Sequence, residues 1–135
     1  MSAGSAGLLD TSVFIARESG RPLGPLPERV AVSVVTIGEL QLGVLNAGDS
    51  AVRERRAATL ALARTADPLP VSEAIMVSWA RLVADCRAAG VHKMVKLTDS
   101  LIAATAVEHG LPVVTQDSDY DQISRAHPSV TVVKV

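Results

Sequence analysis

The alternation of short β-branched runs with helical segments is the feature that most constrains this fold. Residues 30–36 (VAVSVVT) and residues 111–115 (LPVVT) are apolar and rich in β-branched side chains, which favours buried strands. After residue 36 the apolar positions take on helical spacing through Leu40 and Val44. Strands separated by helices pair in parallel and are covered on both faces. The chain is therefore expected to form an α/β/α sandwich with a central, mainly parallel sheet.

The remaining segments fit the same architecture. A first strand ends at residues 8–9, and a last strand is expected at residues 130–135. Further helices are predicted at residues 51–65, at residues 73–89 behind a Ser72 cap, and at residues 99–109 before Gly110. Proline and glycine predict a loop at residues 20–27 and a short edge strand at residues 68–71, and residues 116–121 are expected to form an acidic turn.

Length and composition predict one compact domain spanning residues 1–135. The chain has 135 residues, 48% of them hydrophobic, which is enough for a single apolar core. One cysteine, Cys86, excludes an internal disulfide framework and fits a reducing compartment. The longest uncharged runs fall far short of the ~20 apolar residues of a membrane span, and residues 1–9 show no leader pattern. A cytoplasmic protein without membrane contact is expected.

Charge and aromatic content exclude the common nucleic-acid readers. The 13 basic and 14 acidic side chains give a net charge of −1, which removes a broad electrostatic attraction to phosphates. Phe14, Trp79 and Tyr120 are the only aromatic residues, too few for a base-stacking platform. Any action on nucleic acid must therefore depend on a local site.

Four carboxylates are expected at one edge of the sheet. Asp10 directly follows the first strand, and Asp117 lies two residues beyond the strand that ends at residue 115. Glu39 lies in the first turn of the helix predicted from residue 37, and Asp99 begins the helix that leads into the 111–115 strand. Ligands of open α/β sheets bind outside the carboxyl ends of the strands. These four acids therefore define the candidate site.

Each acid also has a structural interpretation. Thr36 and Glu39 match a capping box, and Asp99 suits the positive end of a helix dipole. Asp10 matches the cap of a short following helix, and the aspartates of residues 116–121 match solvated turn residues. Taken singly, these acids do not specify a site. Taken together, they would repel one another unless a cation neutralised them.

An all-oxygen ligand set favours hard divalent cations such as Mg²⁺ or Mn²⁺. A carboxylate-held metal supports phosphodiester hydrolysis, because it binds phosphate oxygens and generates hydroxide from water. The sequence contains no phosphate-binding glycine loop and no serine or cysteine nucleophile beside a base. His92, His109 and His127 are scattered and are interpreted as surface residues. Metal-activated water is the predicted nucleophile.

Four stretches, each carrying one of the acids, have the spacing of a known family. They are LLDTSVFIA at residues 8–16, VSVVTIGEL at residues 32–40, DSLIAATA at residues 99–106 and VVTQDSDY at residues 113–120. In this order they resemble the PIN-domain ribonucleases of the VapC toxin type, and the resemblance covers nearly the whole chain. It implies a PIN-like α/β/α sandwich that cleaves RNA endonucleolytically with Mg²⁺ or Mn²⁺.

The resemblance also implies roles for individual residues and partners. By position, Asp10 and Asp99 are the direct metal ligands, and Glu39 and Asp117 complete the catalytic, metal-binding pocket. The implied supporting residues, which would hold a carboxylate or water, are Thr11, Ser12 and, as a helper, Asp119. The implied partners are RNA, a second copy of the chain in a homodimer, and a VapB-like antitoxin that inserts a segment into the active site.

Basic residues are less specific candidates for RNA contact. The connector before Asp99 contains Lys93 and Lys96, and the helix at residues 51–65 carries a denser basic patch made of Arg53, Arg55 and Arg56. Tyr120 stands where the family often has phenylalanine. Its hydroxyl is expected to change little, because the ring still packs.

Two other interpretations stay open. The chain could be a catalytically silent PIN-like binding or scaffold module, and such a module should show no carboxylate-dependent Mn²⁺ binding. It could also be an α/β phosphatase or phosphoacceptor domain. One phosphatase class needs Asp-x-Asp after its first strand, where this chain has Asp10-Thr11-Ser12. A receiver domain needs a lysine at the end of a late strand, and Lys134 lies too near the terminus.

Overall fold

A five-stranded parallel sheet forms the centre of the fold. A computed structural model describes residues 5–135. Residues 1–4 lie outside the described residues, and they begin the segment that was expected to lack a leader pattern. The strands are β1 (Ala6–Leu9), β2 (Arg29–Ser33), β3 (Pro68–Leu69), β4 (Val113–Thr115) and β5 (Val132–Lys134). Their spatial order is β3-β2-β1-β4-β5, and every neighbouring pair is parallel. The predicted architecture is confirmed.

Helices cover both faces of the sheet. They are α1 (Thr11–Ser19), α2 (Val34–Leu45), α3 (Ser50–Arg64), α4 (Glu73–Ala88), α5 (Leu97–Glu108) and α6 (Asp119–Ala126), with one turn of 3₁₀ helix at His92–Met94. Successive side chains of a strand point to opposite faces, so Leu8 and Leu9 belong to different cores. Leu8 packs with α4, α5 and α6, and Leu9 packs with α1, α3 and Leu40 of α2. Within residues 5–135, no helix is long and apolar enough to cross a membrane.

The second strand is shorter than its β-branched run predicts. β2 ends at Ser33, whose hydroxyl accepts a hydrogen bond from the Val35 amide at 3.0 Å and caps α2. The expected strand at residues 30–36 is therefore wrong for its last three residues, because a side-chain cap outweighs the weak strand preference of two valines. The capping box predicted for Thr36 and Glu39 is wrong for the same reason, since both residues lie inside the helix.

The acidic turn expected at residues 116–121 is wrong for its second half. α6 begins at Asp119, and its inner face buries Tyr120 and Ile123, three residues apart. The Ser72 cap of α4 and the short edge strand near residue 68 are confirmed. α6 thus places Tyr120 and Ile123 in the core, whereas Ser118 and Asp119 stay exposed.

Gly7 lies in β1 and packs tightly against Val114 of the neighbouring β4. A Cβ atom at this position would lie 2.5 Å from Val114 Cγ2 and 3.1 Å from Pro27 Cγ, and Val114 is itself completely buried. Gly7→Ala is therefore expected to lower the free energy of unfolding by roughly 1–3 kcal/mol, the typical cost of overpacking a core. Urea denaturation of the two proteins measures this difference.

Gly38 provides the matched control for that substitution. It lies inside α2, and a Cβ atom there meets nothing within 4 Å. Gly38→Ala is expected to stabilise the protein by up to ~1 kcal/mol, because alanine is the better helix former. Equal stability of Gly7→Ala and the wild type would show that the sheet relaxes around the added methyl group.

Candidate active site

An open cleft of about 240 Å³ lies at the edge where β1 and β4 end. Its walls are Asp10, Thr11, Ser12, Ile15, Arg21, Glu39, Lys96, Asp99 and Asp117. All four acids that the sequence singled out line this one cleft. Thr11 and Ser12 line it as well, whereas Asp119 lies in the first turn of α6 and is not part of the wall.

Asp10 is the most firmly held of the four acids. It is only 2% exposed, and its Oδ2 accepts hydrogen bonds from the Ser12 amide at 3.3 Å and the Thr115 hydroxyl at 3.0 Å. Its Oδ1 accepts a third from the Tyr120 hydroxyl at 2.8 Å. The same carboxylate caps α1, so the structural and functional interpretations of Asp10 apply together. Three partners leave this side chain one orientation.

Glu39 is held by a pair of threonines. The Thr11 hydroxyl donates to Glu39 Oε1 at 2.7 Å, and Thr11 Oγ1 also lies 2.9 Å from Thr36 Oγ1. A hydroxyl has one proton, and Thr11 gives its proton to the carboxylate, so Thr36 must donate to Thr11. Thr36 and Glu39 are three residues apart on one face of α2, and this spacing directs both toward α1.

Ser12 and Thr115 form a second hydroxyl relay, which ends on Asp10. Thr115 gives its proton to Asp10, and its oxygen lies 3.1 Å from Ser12 Oγ, so Ser12 donates to Thr115. The Asp117 amide donates to Thr115 Oγ1 at 3.0 Å, which sets the turn that brings this acid to the cleft. Ser12 in turn accepts from the Gln116 amide at 3.0 Å. The ends of β1 and β4 are thus joined at the site.

Asp99 enters the cleft from the first turn of α5 and is 8% exposed. Its Oδ1 lies 3.4 Å from the Tyr120 hydroxyl, the same group that donates to Asp10. Asp10 Oδ1 and Asp99 Oδ1 contact the same hydroxyl oxygen, so the distance between them cannot exceed the sum of these two contact distances. Tyr120 is fully buried and lies beneath the pair.

Burial and the crowding of negative charge raise the pKa of two of the acids. Burial, followed by the charge of Asp10, raises the pKa of Asp99 from 3.8 to about 6, against the opposing effect of Lys96. Partial desolvation and the charges of Asp10 and Asp119 also raise the pKa of Asp117. Arg21 and Lys96 act in the opposite direction on Asp117 without cancelling the repulsion. The cleft therefore holds more negative charge than its own residues neutralise.

The donor set and this excess charge fit a divalent cation. Mg²⁺ commonly binds one or two carboxylates and completes its shell with water and substrate phosphates, and Asp10 and Asp99 supply such a pair. Among the described residues, no group of three or more His, Cys, Asp or Glu side chains is arranged to hold a metal ion as it stands. Glu39 and Asp117 share the cleft but do not close a ready-made protein cage around one ion.

The basic residues divide into two groups. Of the five RNA-contact candidates, only Lys96 lines the cleft. Arg56 donates to the Gly43 carbonyl at 2.7 Å on an adjacent groove, and the other three are exposed elsewhere: Lys93 in the 3₁₀ turn, and Arg53 and Arg55 on α3. The histidines do not line the cleft, and His127 instead pairs with Asp85 at 2.7 Å.

Sequence reasoning missed several residues of the site, including Ile15 in the wall and Thr36 behind Thr11. Thr115 and Tyr120 hold Asp10, and Arg21 lines the wall. The helical spacing of Tyr120 and Ile123 after Asp119 is a signal from which α6 could have been predicted. No local pattern distinguishes Arg21 from other arginines, since its place depends on the loop after α1, which Gln116 anchors through the Pro22 carbonyl at 2.9 Å.

Comparison with known proteins gives consistent matches. Residues 7–126 match the PIN domain family. The chain is 80% identical over 100 residues to Ribonuclease VapC8 of Mycobacterium tuberculosis, an alignment that covers 74% of this chain and 89% of that protein. It is 44% identical over 133 residues to Ribonuclease VapC5 of the same species, covering 97% and 96% of the two chains.

Solved structures agree with the sequence matches. A crystal structure of VapBC-5, a member of the VapBC family of toxin-antitoxin systems from Mycobacterium tuberculosis, superposes with a TM-score of 0.83 at 40% identity. The superposition covers 98% of this chain and 100% of that one. Because the family match spans most of the chain and the relatives are similar over nearly their full length, this chain belongs to the PIN domain family, among the VapC proteins.

Proposed function

We propose that this chain is a Mg²⁺- or Mn²⁺-dependent endoribonuclease that hydrolyses RNA phosphodiester bonds with water and acts as the toxin of a toxin-antitoxin pair. The convergence of Asp10, Glu39, Asp99 and Asp117 in one cleft carries the proposal. Two of these acids are buried, and no cationic side chain of the described region forms an ion pair with any of the four. The relatives named ribonucleases support the same reaction.

Asp10 and Asp99 are the proposed direct ligands, with Glu39 and Asp117 completing the negative wall. When bound, a divalent cation supplies a phosphate-binding charge and a water of lowered pKa. The chain itself fixes the geometry, because Ser12, Thr115 and Tyr120 orient Asp10 while Thr11 orients Glu39. The helper role of Asp119 is implied by the family resemblance, and its charge contributes to the raised pKa of Asp99 and Asp117.

Cleavage of a mixed cellular RNA pool tests this proposal. Purified protein, freed of any antitoxin, is incubated with Mg²⁺, with Mn²⁺ and with EDTA, and the products are separated by size. Discrete internal cuts in either metal and none in EDTA are expected. Cutting that persists in EDTA would refute metal dependence. If there is no cutting and no Mn²⁺ binding, the chain would instead be a binding or scaffold module.

Hydrolysis of a small phosphate monoester under the same conditions tests the phosphatase alternative. The phosphatase alternative lacks support at the site, because Ser12 occupies the position two residues after Asp10 where that class of phosphatase needs a second acid. Release of phosphate from the monoester without RNA cleavage would favour that alternative.

Arg21 and Lys96 are proposed to bind phosphates of the RNA beside the acidic cleft. Both line the cleft, and neither forms an ion pair in the part of the chain that the structure describes. Arg21→Ala is expected to raise KM about threefold to fivefold with little change in kcat, because an exposed charge contact contributes at most ~1 kcal/mol. Steady-state cleavage of a fluorogenic RNA at several salt concentrations measures both constants.

Arg53→Ala is the comparison variant for that measurement. Arg53 belongs to the exposed patch on α3 and does not line the cleft. The salt dependence of RNA binding is expected to fall in Arg21→Ala, by about 0.7 in the logarithmic slope for each lost contact with a single strand. A loss confined to Arg53→Ala would assign RNA binding to α3 instead.

The proposed protein partner is a VapB-like antitoxin whose segment covers the active site. A second groove of about 270 Å³ adjoins the cleft and shares Ile15 and Glu39 with it. A peptide lying there would reach Glu39 directly, so binding and inhibition would be coupled. The homodimer implied by the family stays a prediction, as does the assignment of all 135 residues to one domain.

A further inference from the structure

The Tyr120 hydroxyl contacts the carboxylates of both Asp10 and Asp99. It donates to Asp10 Oδ1 at 2.8 Å and lies 3.4 Å from Asp99 Oδ1. Tyr120 is fully buried, and its ring packs in the core with Ile102 and Ile123. The ring alone accounts for the packing, since a phenylalanine would fill the same space without the oxygen. The hydroxyl therefore has a role separate from the core.

A buried hydroxyl is costly unless it forms a hydrogen bond, and the Tyr120 hydroxyl faces two carboxylates. A phenol has one proton, and the shorter contact gives that proton to Asp10. The oxygen also lies between Asp10, which follows β1 and caps α1, and Asp99, which lies in the first turn of α5. Tyr120 thus fixes one carboxylate by a hydrogen bond and limits the approach of the other by contact.

We infer that Tyr120 is a positioning residue, whose hydroxyl sets the orientation and separation of Asp10 and Asp99 for divalent-cation binding. This inference rests on the proposed function, because it assigns the cation site to the same two acids. Partners that orient metal ligands commonly change metal affinity by tenfold to a hundredfold when they are removed. The hydroxyl acts through the two acids and does not need to touch RNA or the cation.

Tyr120→Phe tests the inference because it removes a single oxygen and keeps the ring. The concentration of Mn²⁺ that half-saturates the protein, measured by electron paramagnetic resonance, is expected to rise about tenfold or more. Cleavage is expected to recover to within a few-fold of the wild type once Mn²⁺ is saturating. Thermal unfolding in EDTA checks that the variant is folded before metal is added.

Ser124→Ala is the matched control, since it also removes one hydroxyl from α6. The Ser124 hydroxyl donates to the Val130 carbonyl at 2.7 Å and does not line the cleft. Its Mn²⁺ half-saturation is expected to equal that of the wild type. A Tyr120→Phe protein with wild-type Mn²⁺ affinity would overturn the inference, whatever its unfolding temperature.

Asp99→Asn separates failure of this inference from failure of the proposed function. If wild type and Asp99→Asn both lack saturable Mn²⁺ binding, the proposed cation site is refuted, and the inferred role of Tyr120 is refuted with it. If Asp99→Asn loses binding and Tyr120→Phe does not, only the inference is wrong. Because Tyr120 is the only tyrosine of the sequence, tyrosine labelled with ¹³C at Cζ gives one NMR signal, which is expected to shift when Mg²⁺ is added to the wild type.

Discussion

Asp99→Asn is expected to reduce RNA cleavage by more than about a hundredfold at every concentration of Mg²⁺ or Mn²⁺. Loss of a direct ligand should exceed the tenfold to hundredfold losses that follow removal of an outer partner. The substitution keeps the size of the side chain and removes the charge. Asp99 is 8% exposed in the first turn of α5, so its replacement leaves the core residues of that helix in place.

The measurement is single-turnover cleavage of a labelled RNA with the protein in excess. Asp121→Asn is the control, because Asp121 lies on α6, pairs with Lys134 at 2.8 Å and does not line the cleft. That control should cleave RNA at close to the wild-type rate. Undiminished cleavage by Asp99→Asn would exclude this carboxylate from the metal site, whereas equal losses in both variants would indicate a general effect of negative charge.

The positions of Asp10 and Asp117 were predictable because they depend only on strand ends and parallel pairing. β1 and β4 are neighbours in the sheet, so residues that follow them must meet at one edge. Asp99 was predictable for a related reason, since it lies in the first turn of the helix that leads into β4. These placements need the order of elements but not the details of any side chain.

Glu39 was correctly predicted to line the cleft, although its helix begins at Val34 and not at residue 37 as expected. The β-branched residues after Ser33 favour a strand, and the Ser33 cap turns them into the first turn of α2. This cap is a single side-chain contact, which a propensity summed over a window does not detect. The spacing between Thr36 and Glu39 was unaffected, so both side chains still face Thr11.

The supporting hydrogen bonds could not be derived from the sequence. Thr115 and Tyr120 contact Asp10 across separations of more than a hundred positions in the chain, and only the folded sheet brings them together. Tyr120 was interpreted as a packing residue because a ring is the larger part of its surface. Its oxygen becomes informative only when the partners are known, and both of them are carboxylates.

The same crowding that suits the cleft to a cation should destabilise the protein without one. Burial and neighbouring acids raise the pKa of Asp99 from 3.8 to about 6 in the folded protein. Between these two values the folded state binds more protons than the unfolded state, so stability falls as pH rises from about 4 to about 6. Above that window the full cost of the buried charge is present, and below it the cost disappears.

Asp99→Asn removes this cost, so the inactive variant is expected to be the more stable protein in EDTA at pH 7.5. One pKa unit corresponds to about 1.4 kcal/mol, so the gain in free energy of unfolding should be roughly 1–3 kcal/mol. Denaturation at pH 3 should show little difference, because this pH lies below both pKa values and Asp99 is then mostly protonated in the folded and in the unfolded state. Glu54→Gln, which removes an exposed acid of α3, should match the wild type at both pH values.

Metal should reverse this order. A ligand that binds only the folded state at a hundred times its dissociation constant stabilises that state by about 2.7 kcal/mol, and only the wild type retains the full ligand pair. Saturating Mn²⁺ at pH 7.5 is therefore expected to raise the wild type to or above Asp99→Asn. If Asp99→Asn is no more stable than the wild type in EDTA, the charge of Asp99 does not destabilise the folded protein. Stabilisation of both proteins by the same amount would place the cation away from Asp99.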